Sequence, residues 1–204
     1  MPLFLLRHGE TLLNVKNRYQ GQSDSDLTET GIGQARANGG LLADLIADTS
    51  QVHFVSSPLG RTLATSEIIC KTLGIHFDTI QTDPRLMEIK FGAWQEMTEF
   101  EIEGEYSGQW EQHLTGPTRF TVPGGGESYD DLFARVDDWL DDTGKFWAGD
   151  TIWIAVSHGL LGSVIRGRYL GFDVQNIRAL ERPHDKIYEL GNGRVISHGP
   201  EGGK

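Results

Sequence analysis

Cysteine and long apolar runs are both scarce in this sequence of 204 residues. The single cysteine, Cys70, cannot form a disulfide within the chain, so we expect a reducing compartment and predict a cytoplasmic location. No apolar run approaches the ~18 residues that a membrane-spanning helix needs. The apolar stretch 1–6 is also shorter than the ~7–15 residues of a secretion signal, and it runs directly into Arg7. The sequence therefore predicts neither a membrane protein nor a disulfide-stabilised secreted domain.

Positive charge is scarce as well. The chain carries 18 Lys and Arg residues against 29 Asp and Glu residues, which gives a formal net charge of −11. Nucleic acids and anionic membranes bind cationic surfaces, so we expect neither as a partner. The sequence also lacks a G-x-x-x-x-G-K-[ST] phosphate loop and a G-x-G-x-x-G fingerprint after a strand. Apart from His8 and His158, its histidines are scattered along the chain without the spacing of metal ligands. Neither a metal nor another cofactor is therefore expected.

Short apolar runs alternate along the chain with stretches of helical periodicity. Runs typical of buried strands occupy 2–6, 52–55, 79–82 and 151–156, and a strand–turn–strand pattern covers 186–198. The helices between them carry recognisable start or stop residues, namely Thr28, Gly74, Ser128, Gly144 and Gly171. This alternation predicts a three-layer α/β/α fold whose sheet is mostly parallel with one antiparallel edge strand. At ~100–200 residues per domain, we expect a single domain over residues 1–204.

The segment 89–127 departs from this alternation. It is rich in aromatic and acidic residues, and it is far longer than the ~4–6 residues of an ordinary connection. We expect the stretch 94–114 to be helical. We predict that the segment is an inserted lid over the active site, with packing elsewhere on the surface as the alternative. Whether Trp94 and Trp110 serve packing or binding is left open.

Residues that can bind phosphate follow three of the predicted strands. Arg7 and His8 come directly after the first strand, and Arg61 lies shortly after the second. His158 follows the strand 151–156, and the carboxyl ends of parallel strands are where ligands bind. Guanidinium groups suit phosphate oxygens, and nearby positive charge lowers the pKa of an imidazole. A neutral imidazole can accept a phosphoryl group, and no metal ion is required because the pocket supplies the positive charge.

Taken one at a time, these residues have ordinary structural explanations. A histidine after a strand usually satisfies backbone groups, and an arginine in the first turn of a helix usually lies at the surface. Convergence of two arginines and two histidines on one sheet edge favours a functional site. By contrast, we expect His184 at the surface, with a place at the rim of the site as the alternative, and Cys70 as a small core residue within a predicted helix.

An ordered series of motifs resembles the histidine phosphatase superfamily, the group that includes phosphoglycerate mutases. The block Leu6-Arg7-His8-Gly9-Glu10-Thr11 resembles the R-H-G-[EQ]-[ST] signature of that family. Further blocks follow in family order at 56–61, 86–88, 123–128 and 156–159. Asp26 and Thr62 depart from the family pattern, and neither touches the proposed chemistry. The resemblance implies a phosphoglycerate mutase-like fold and a phosphoryl-transfer activity.

Matched position by position, the resemblance implies roles for nine residues. His8 corresponds to the nucleophile that becomes phosphohistidine, and Glu88 to the proton donor for the leaving group and later the base for water. Arg7, Arg61 and His158 correspond to the phosphate pocket. Roles in lining the pocket or offering a backbone N–H are implied for Asn14, Gln20, Gly21 and Gly159. From the residues alone Glu88 would not stand out, because most glutamates are simply solvated.

The superfamily contains both hydrolases and isomerases. Cofactor-dependent mutases resemble one another in a basic insertion after the acid, whereas 89–127 contains only Lys90 and Arg119 as basic residues. We therefore predict a metal-independent phosphomonoesterase that acts on a small phosphorylated metabolite. A phosphoglycerate mutase and an inactive phospho-ligand-binding module remain alternatives, and a homodimer is left open. The acids of 89–127 would either repel a bisphosphorylated substrate or form a solvated helix face.

Overall fold

Six strands form one sheet in this computed structural model, which describes residues 2–144 and 151–200. In chain order the strands are β1 (Leu3–Arg7), β2 (Val52–Ser56), β3 (Gln81–Thr82), β4 (Ile152–Ser157), β5 (Ile187–Gly191) and β6 (Arg194–His198). Across the sheet they lie in the order β3-β2-β4-β1-β5-β6. The first four are parallel, whereas β5 is antiparallel to both β1 and β6. The mostly parallel sheet is confirmed, and its antiparallel part is a hairpin in which β6, not β5, forms the edge.

The described residues contain eight α-helices around this sheet. They are α1 (Leu12–Val15), α2 (Glu29–Leu45), α3 (Gly60–Leu73), α4 (Glu99–Glu105), α5 (Gln109–Thr115), α6 (Tyr129–Gly144), α7 (Gly159–Leu170) and α8 (Val174–Ala179). A helix of sufficient length and apolarity to span a membrane is not found among them. Helix α8 lies in a stretch where the residue pattern indicated no element.

Two apolar clusters pack on opposite faces of the sheet, because successive side chains of a strand point to opposite sides. In β1, Leu3 and Leu5 belong to one cluster, whereas Phe4 and Leu6 belong to the other. The first cluster includes residues of α6, α7 and the segment 89–127. The second includes residues of α2 and α3, with Cys70 among them as expected. The predicted three-layer arrangement is thus confirmed.

The helix boundaries follow the capping residues that the sequence indicated. The Thr28 hydroxyl accepts a hydrogen bond from the Gly31 N–H at 3.0 Å, which begins α2. The Ser128 hydroxyl accepts one from the Asp131 N–H at 3.1 Å, which begins α6. Helix α3 ends at Gly74, whose φ of 70° lies in the left-handed region that glycine tolerates. These local interactions place the elements that carry the candidate site.

The segment 89–127 does not form one long helix. The stretch 94–114 instead contains the short helices α4 and α5, separated at Gly108, whose φ is 73°. Trp94 is fully buried, and its ring lies 5.8 Å from the ring of Trp110 and 6.1 Å from that of Phe120. Burial of these aromatic side chains in the first apolar cluster therefore stabilises the packing of this segment, although many of its other residues are polar.

Helix α2 approaches the loop after β1 through two glycines. A Cβ atom at Gly31 would overlap the Glu10 carbonyl oxygen and would lie 2.7 Å from the Glu10 amide nitrogen. A Cβ atom at Gly9 would lie 2.8 Å from the carbonyl carbon of Gly31. Both positions need glycine because two backbones meet there. The loop that carries His8 is consequently held against α2 by backbone contact.

We expect Gly31→Ala to lower the free energy of unfolding by about 1–3 kcal/mol, which is the usual cost of overpacking. Gly33 lies in the same helix and has open space around its Cβ position. Gly33→Ala should therefore raise the free energy of unfolding by about 0.5–1 kcal/mol through helix propensity. Urea unfolding of both variants measures these changes. Equal effects at the two positions would contradict the proposed importance of the backbone contact.

Candidate active site

A cavity of about 380 Å³ lies where β1, β2 and β4 reach their carboxyl ends. Eight of the nine residues predicted for the site line it, namely Arg7, His8, Asn14, Gln20, Gly21, Arg61, Glu88 and Gly159. The ninth, His158, lies beside His8, with 5.3 Å between the two ring centroids. Residues that are far apart in the sequence thus meet at one sheet edge. Arg7, His8, Arg61 and His158 were expected there because they follow strands, and the other five because of the family resemblance.

His8 is buried and its tautomer is fixed by one hydrogen bond. The Nδ1 atom lies 2.7 Å from the carbonyl oxygen of Gly9. A carbonyl oxygen can only accept, so Nδ1 carries the hydrogen of the neutral ring and donates it. The Nε2 atom therefore keeps its lone pair. Of the two ring nitrogens, Nε2 is the one that can act as a nucleophile.

The surroundings of His8 favour its uncharged form. Burial lowers the pKa of His8 well below its ordinary value, and the charges of Arg7 and Arg61 lower it further. The ring of His158 acts in the same direction. The hydrogen bond to Gly9 opposes these effects, but burial is the largest of them. The imidazole is consequently neutral across the physiological pH range.

Arg7 and Arg61 bring buried guanidinium groups to the same cavity. One terminal nitrogen of Arg7 donates to the carbonyl of Arg182, and burial lowers the pKa of Arg7 to about 10. Arg61 donates to the carbonyls of Ser23 at 2.6 Å and Gly21 at 2.7 Å. In both arginines the Nε–H is buried and has no acceptor among the described residues. Such donors suit an anion with several oxygen atoms.

Glu88 is held at the start of α7 by backbone N–H groups. Its carboxylate accepts hydrogen bonds from Leu160 and Leu161, each at 3.0 Å, and a third from Ile89 at 3.0 Å. The residue before α7, His158, makes no side-chain cap of its own. Glu88 therefore satisfies donors of the first helical turn, and this fixes its carboxylate at the cavity wall.

Glycine avoids close contacts at two positions of the lining. A Cβ atom at Gly159 would lie 3.2 Å from the Cζ and Nε atoms of Arg7, so glycine leaves room for the guanidinium group. Gly21 has a φ of 54°, and a Cβ atom there would lie 2.9 Å from the amide nitrogen of Phe91. Asn14, which also lines the cavity, is oriented by hydrogen bonds that its side-chain oxygen accepts from the N–H and the hydroxyl of Thr11. The cavity wall is therefore built from closely fitted backbone.

A hydrogen bond with a serine orients the His158 ring. Its Nε2 atom lies 2.8 Å from the Ser57 hydroxyl, and its Nδ1 atom is buried without a partner among the described residues. Burial lowers the pKa of His158 well below its ordinary value, with further lowering by Arg61 and Arg7. A second neutral imidazole thus lies next to His8. Gln20 is similar in having a buried side-chain oxygen that lacks a partner in the described part of the chain.

Three arginines that were not predicted for the site also line the cavity, namely Arg18, which pairs with Glu101, and two arginines in or near α8. Arg178 belongs to α8 and Arg182 follows that helix. Arg178 donates to the carbonyls of His113 and Gly116, and its guanidinium carbon lies 4.6 Å from the Tyr129 ring centroid. The stretch around α8 has no clear periodicity, so only the spacing of these arginines, four residues apart, could have drawn attention to it.

Two histidines for which no role in the site was predicted lie in or beside it. His184 was expected at the surface, but it is partly buried, and its Nδ1 donates to the His8 carbonyl at 2.7 Å. Burial and the charge of Arg7 lower the pKa of His184 to about 4. His113 is buried in the lining and stacks on Trp110, with 5.4 Å between the ring centroids. Tertiary contacts determine both positions, and no local sequence pattern predicts them.

The segment 89–127 turns aromatic rather than acidic side chains toward the cavity. Phe91, Trp110, His113 and Leu114 line it, whereas Trp94 is core. None of the segment's glutamates is in the lining, and most are exposed, which favours the solvated-face interpretation. Glu101 instead pairs with Arg18 at 2.7 Å. Within 2–144 and 151–200, no three His, Cys, Asp or Glu side chains are arranged to hold a metal ion.

Comparison with known proteins identifies relatives over almost the whole chain. The family model described as histidine phosphatase superfamily (branch 1) matches residues 3–193. A Yersinia pestis protein named "Probable phosphoglycerate mutase GpmB" is 36% identical over 180 residues, which cover 88% of this chain and 80% of that protein.

Several solved structures with the same fold are phosphatases by name. A mycobacterial glucosyl-3-phosphoglycerate phosphatase is 29% identical with a TM-score of 0.77, over 98% of this chain and 96% of that one. The alpha-ribazole phosphatase from Shigella flexneri has a TM-score of 0.79 at 22% identity, over 98% of this chain and 95% of that one. The second likeness concerns the fold alone. On the match over residues 3–193, the chain belongs to branch 1 of the histidine phosphatase superfamily.

Proposed function

We propose that this protein is a metal-independent phosphomonoesterase that acts on a small phosphorylated metabolite through a phosphohistidine on His8. The observation that carries this proposal is a neutral imidazole with a free Nε2 lone pair beside two buried guanidinium groups. Membership of the superfamily and the likeness to a mycobacterial phosphatase support it.

The first chemical step transfers the phosphoryl group to His8. The Nε2 lone pair attacks phosphorus, and the bond from phosphorus to the leaving oxygen breaks. Arg7 and Arg61 stabilise the charge on the three equatorial oxygens, which is where phosphoryl transfer requires stabilisation. Glu88 enters this step in its protonated form and donates that proton to the leaving oxygen, so the product leaves as a neutral alcohol and Glu88 becomes a carboxylate. The charge of the arginines replaces the charge that a metal ion would supply.

The second step returns the enzyme to its starting state. Glu88, now deprotonated, accepts a proton from a water molecule, and the oxygen of that water attacks the phosphohistidine. The bond from phosphorus to Nε2 breaks, and inorganic phosphate leaves. The hydrogen bond from Nδ1 to the Gly9 carbonyl keeps the same tautomer through both steps. In this scheme the segment 89–127 acts as the lid that limits which alcohols fit beside Glu88.

A cofactor-dependent phosphoglycerate mutase is the second candidate function. The name of the Yersinia relative favours it, and so do Arg178 and Arg182, which add positive charge to the lining from outside 89–127. The scarcity of basic residues in 89–127 is therefore a weaker argument against a mutase than it is from sequence alone. A mutase would return the phosphoryl group to the substrate, whereas a phosphatase transfers it to water.

A panel of phosphoesters assayed with and without bisphosphoglycerate, and with a chelator, distinguishes these functions. We expect hydrolysis that does not depend on bisphosphoglycerate and is unchanged by the chelator. His8→Ala should lower kcat/KM on the order of 10³-fold or more, because the nucleophile is lost. His76→Ala, at an exposed histidine that is not part of the cavity lining, is the matched control.

Three outcomes of this assay would contradict the proposal. Isomerisation of phosphoglycerate that requires bisphosphoglycerate and exceeds hydrolysis would identify a mutase. Loss of activity in the chelator, restored by a divalent metal ion, would contradict metal independence. Binding of phosphoesters without turnover across the panel would identify a binding module.

Glu88→Gln tests the proton donor. An alkyl phosphate has a poor leaving group and needs the proton, so its kcat/KM should fall about 10²–10⁴-fold. An aryl phosphate such as p-nitrophenyl phosphate leaves without it and should be affected much less. Glu99→Gln, which removes the same charge at an exposed position, is the control. An equal loss for both esters would mean that Glu88 only caps α7.

A further inference from the structure

The charge in the cavity lining is unevenly compensated. Five arginines line the cavity together with a single carboxylate, that of Glu88. Two of the five have carboxylate partners elsewhere, because Arg18 pairs with Glu101 and Arg61 with Asp24. Within the described residues, the ion pairs include none with Arg7, Arg178 or Arg182. With Glu88 protonated, as the proposed proton transfer requires, these three arginines exceed the two negative charges of a phosphomonoester by one.

The guanidinium groups of Arg178 and Arg182 differ in how far their N–H donors are already engaged in hydrogen bonds. Arg178 donates to two carbonyls near the end of α5 and lies over the ring of Tyr129, so it has a structural task. Arg182 makes one weak hydrogen bond, to the carbonyl of Arg178 at 3.3 Å. Its Nε–H is buried without an acceptor in the described ranges. Of the two, Arg182 has the greater unused capacity to bind an anion.

Arg182 lies between the proposed phosphate site and the aromatic wall. Its carbonyl accepts a hydrogen bond from Arg7, which connects its backbone to the phosphate-binding arginine. Its charge acts on His113 and Tyr19, both of which line the cavity. The rings of Tyr19 and Trp110, whose centroids are 4.6 Å apart, form part of that wall. An anionic group bound by Arg182 would thus lie on the alcohol portion of the substrate, which is the leaving group of the reaction.

We propose that Arg182, held by Arg178, binds a second anionic group on the alcohol portion of the substrate. The preferred substrates are then phosphomonoesters whose alcohol carries a carboxylate or another phosphate. This inference rests on the proposed function for the reaction, but it concerns a different part of the cavity. It also explains why a chain with a net charge of −11 keeps an uncompensated arginine in this cavity.

Two pairs of esters that differ in one group test this inference. 3-Phosphoglycerate and glycerol 3-phosphate differ by a carboxylate against a hydroxymethyl group. Fructose 1,6-bisphosphate and fructose 6-phosphate differ by a second phosphate. For at least one pair, we expect the anionic member to have the higher kcat/KM. Arg182→Gln should reduce that preference about 10–100-fold, since a charge-assisted hydrogen bond is lost.

Two further variants separate binding from general effects of charge and structure. Arg182→Lys keeps the charge and should restore part of the preference. Arg36→Gln removes the same charge from an exposed arginine of α2 and should leave the preference unchanged. The pair whose preference collapses in Arg182→Gln identifies carboxylate or phosphate as the second group.

Several results would overturn the inference. An unchanged preference in Arg182→Gln would do so, and so would an equal loss for both members of each pair, which indicates a structural role. If the parent protein hydrolyses no ester, the proposed function fails and the inference is tested by calorimetric binding of the same pairs. Arg182→Gln must then weaken binding of the anionic member selectively, and equal binding would reject the second anionic site.

Discussion

The structure depends on keeping an uncharged imidazole buried among guanidinium groups. Burial and the charges of Arg7 and Arg61 disfavour protonation of His8, and the carbonyl of Gly9 selects which nitrogen carries the hydrogen. Protonation would remove the Nε2 lone pair and place a third positive charge beside two others. The backbone contact between Gly9 and Gly31 holds the loop in the position where these effects act together.

Carboxylates from distant loops connect the site to the helices behind it. Helices α3 and α7 begin after β2 and β4, and neither has a side-chain cap from its own N-cap residue. Asp24 accepts from the N–H groups of Gly60 and Arg61 at the start of α3, and Glu88 does the same at the start of α7. Because the helix N-terminus favours negative charge, each contact stabilises the helix and positions a residue of the cavity. The geometry of the site and the stability of these helices are therefore coupled.

Sequence reasoning located the part of the site that the sheet dictates. Arg7, His8, Arg61 and His158 could be predicted because parallel strands bring their carboxyl ends to one edge. Glu88 was found only through the family resemblance. Its partners are backbone N–H groups, which every residue except proline has, so no sequence pattern points to the contact. Arg182 was missed because its position depends on long-range packing. The expected helix over 94–114 was broken at Gly108 by a local turn that periodicity does not reveal.

The most direct test of the account is to capture the phosphorylated enzyme. The protein is mixed rapidly with an aryl phosphate and quenched in alkali, where a phosphorus–nitrogen bond survives, and the modified residue is then located by mass spectrometry and its nitrogen by NMR. We predict a phosphoryl group on Nε2 of His8 that forms and decays at rates consistent with turnover. Steady hydrolysis without an adduct on His8, or an adduct on His158 or His184 instead, would contradict the account.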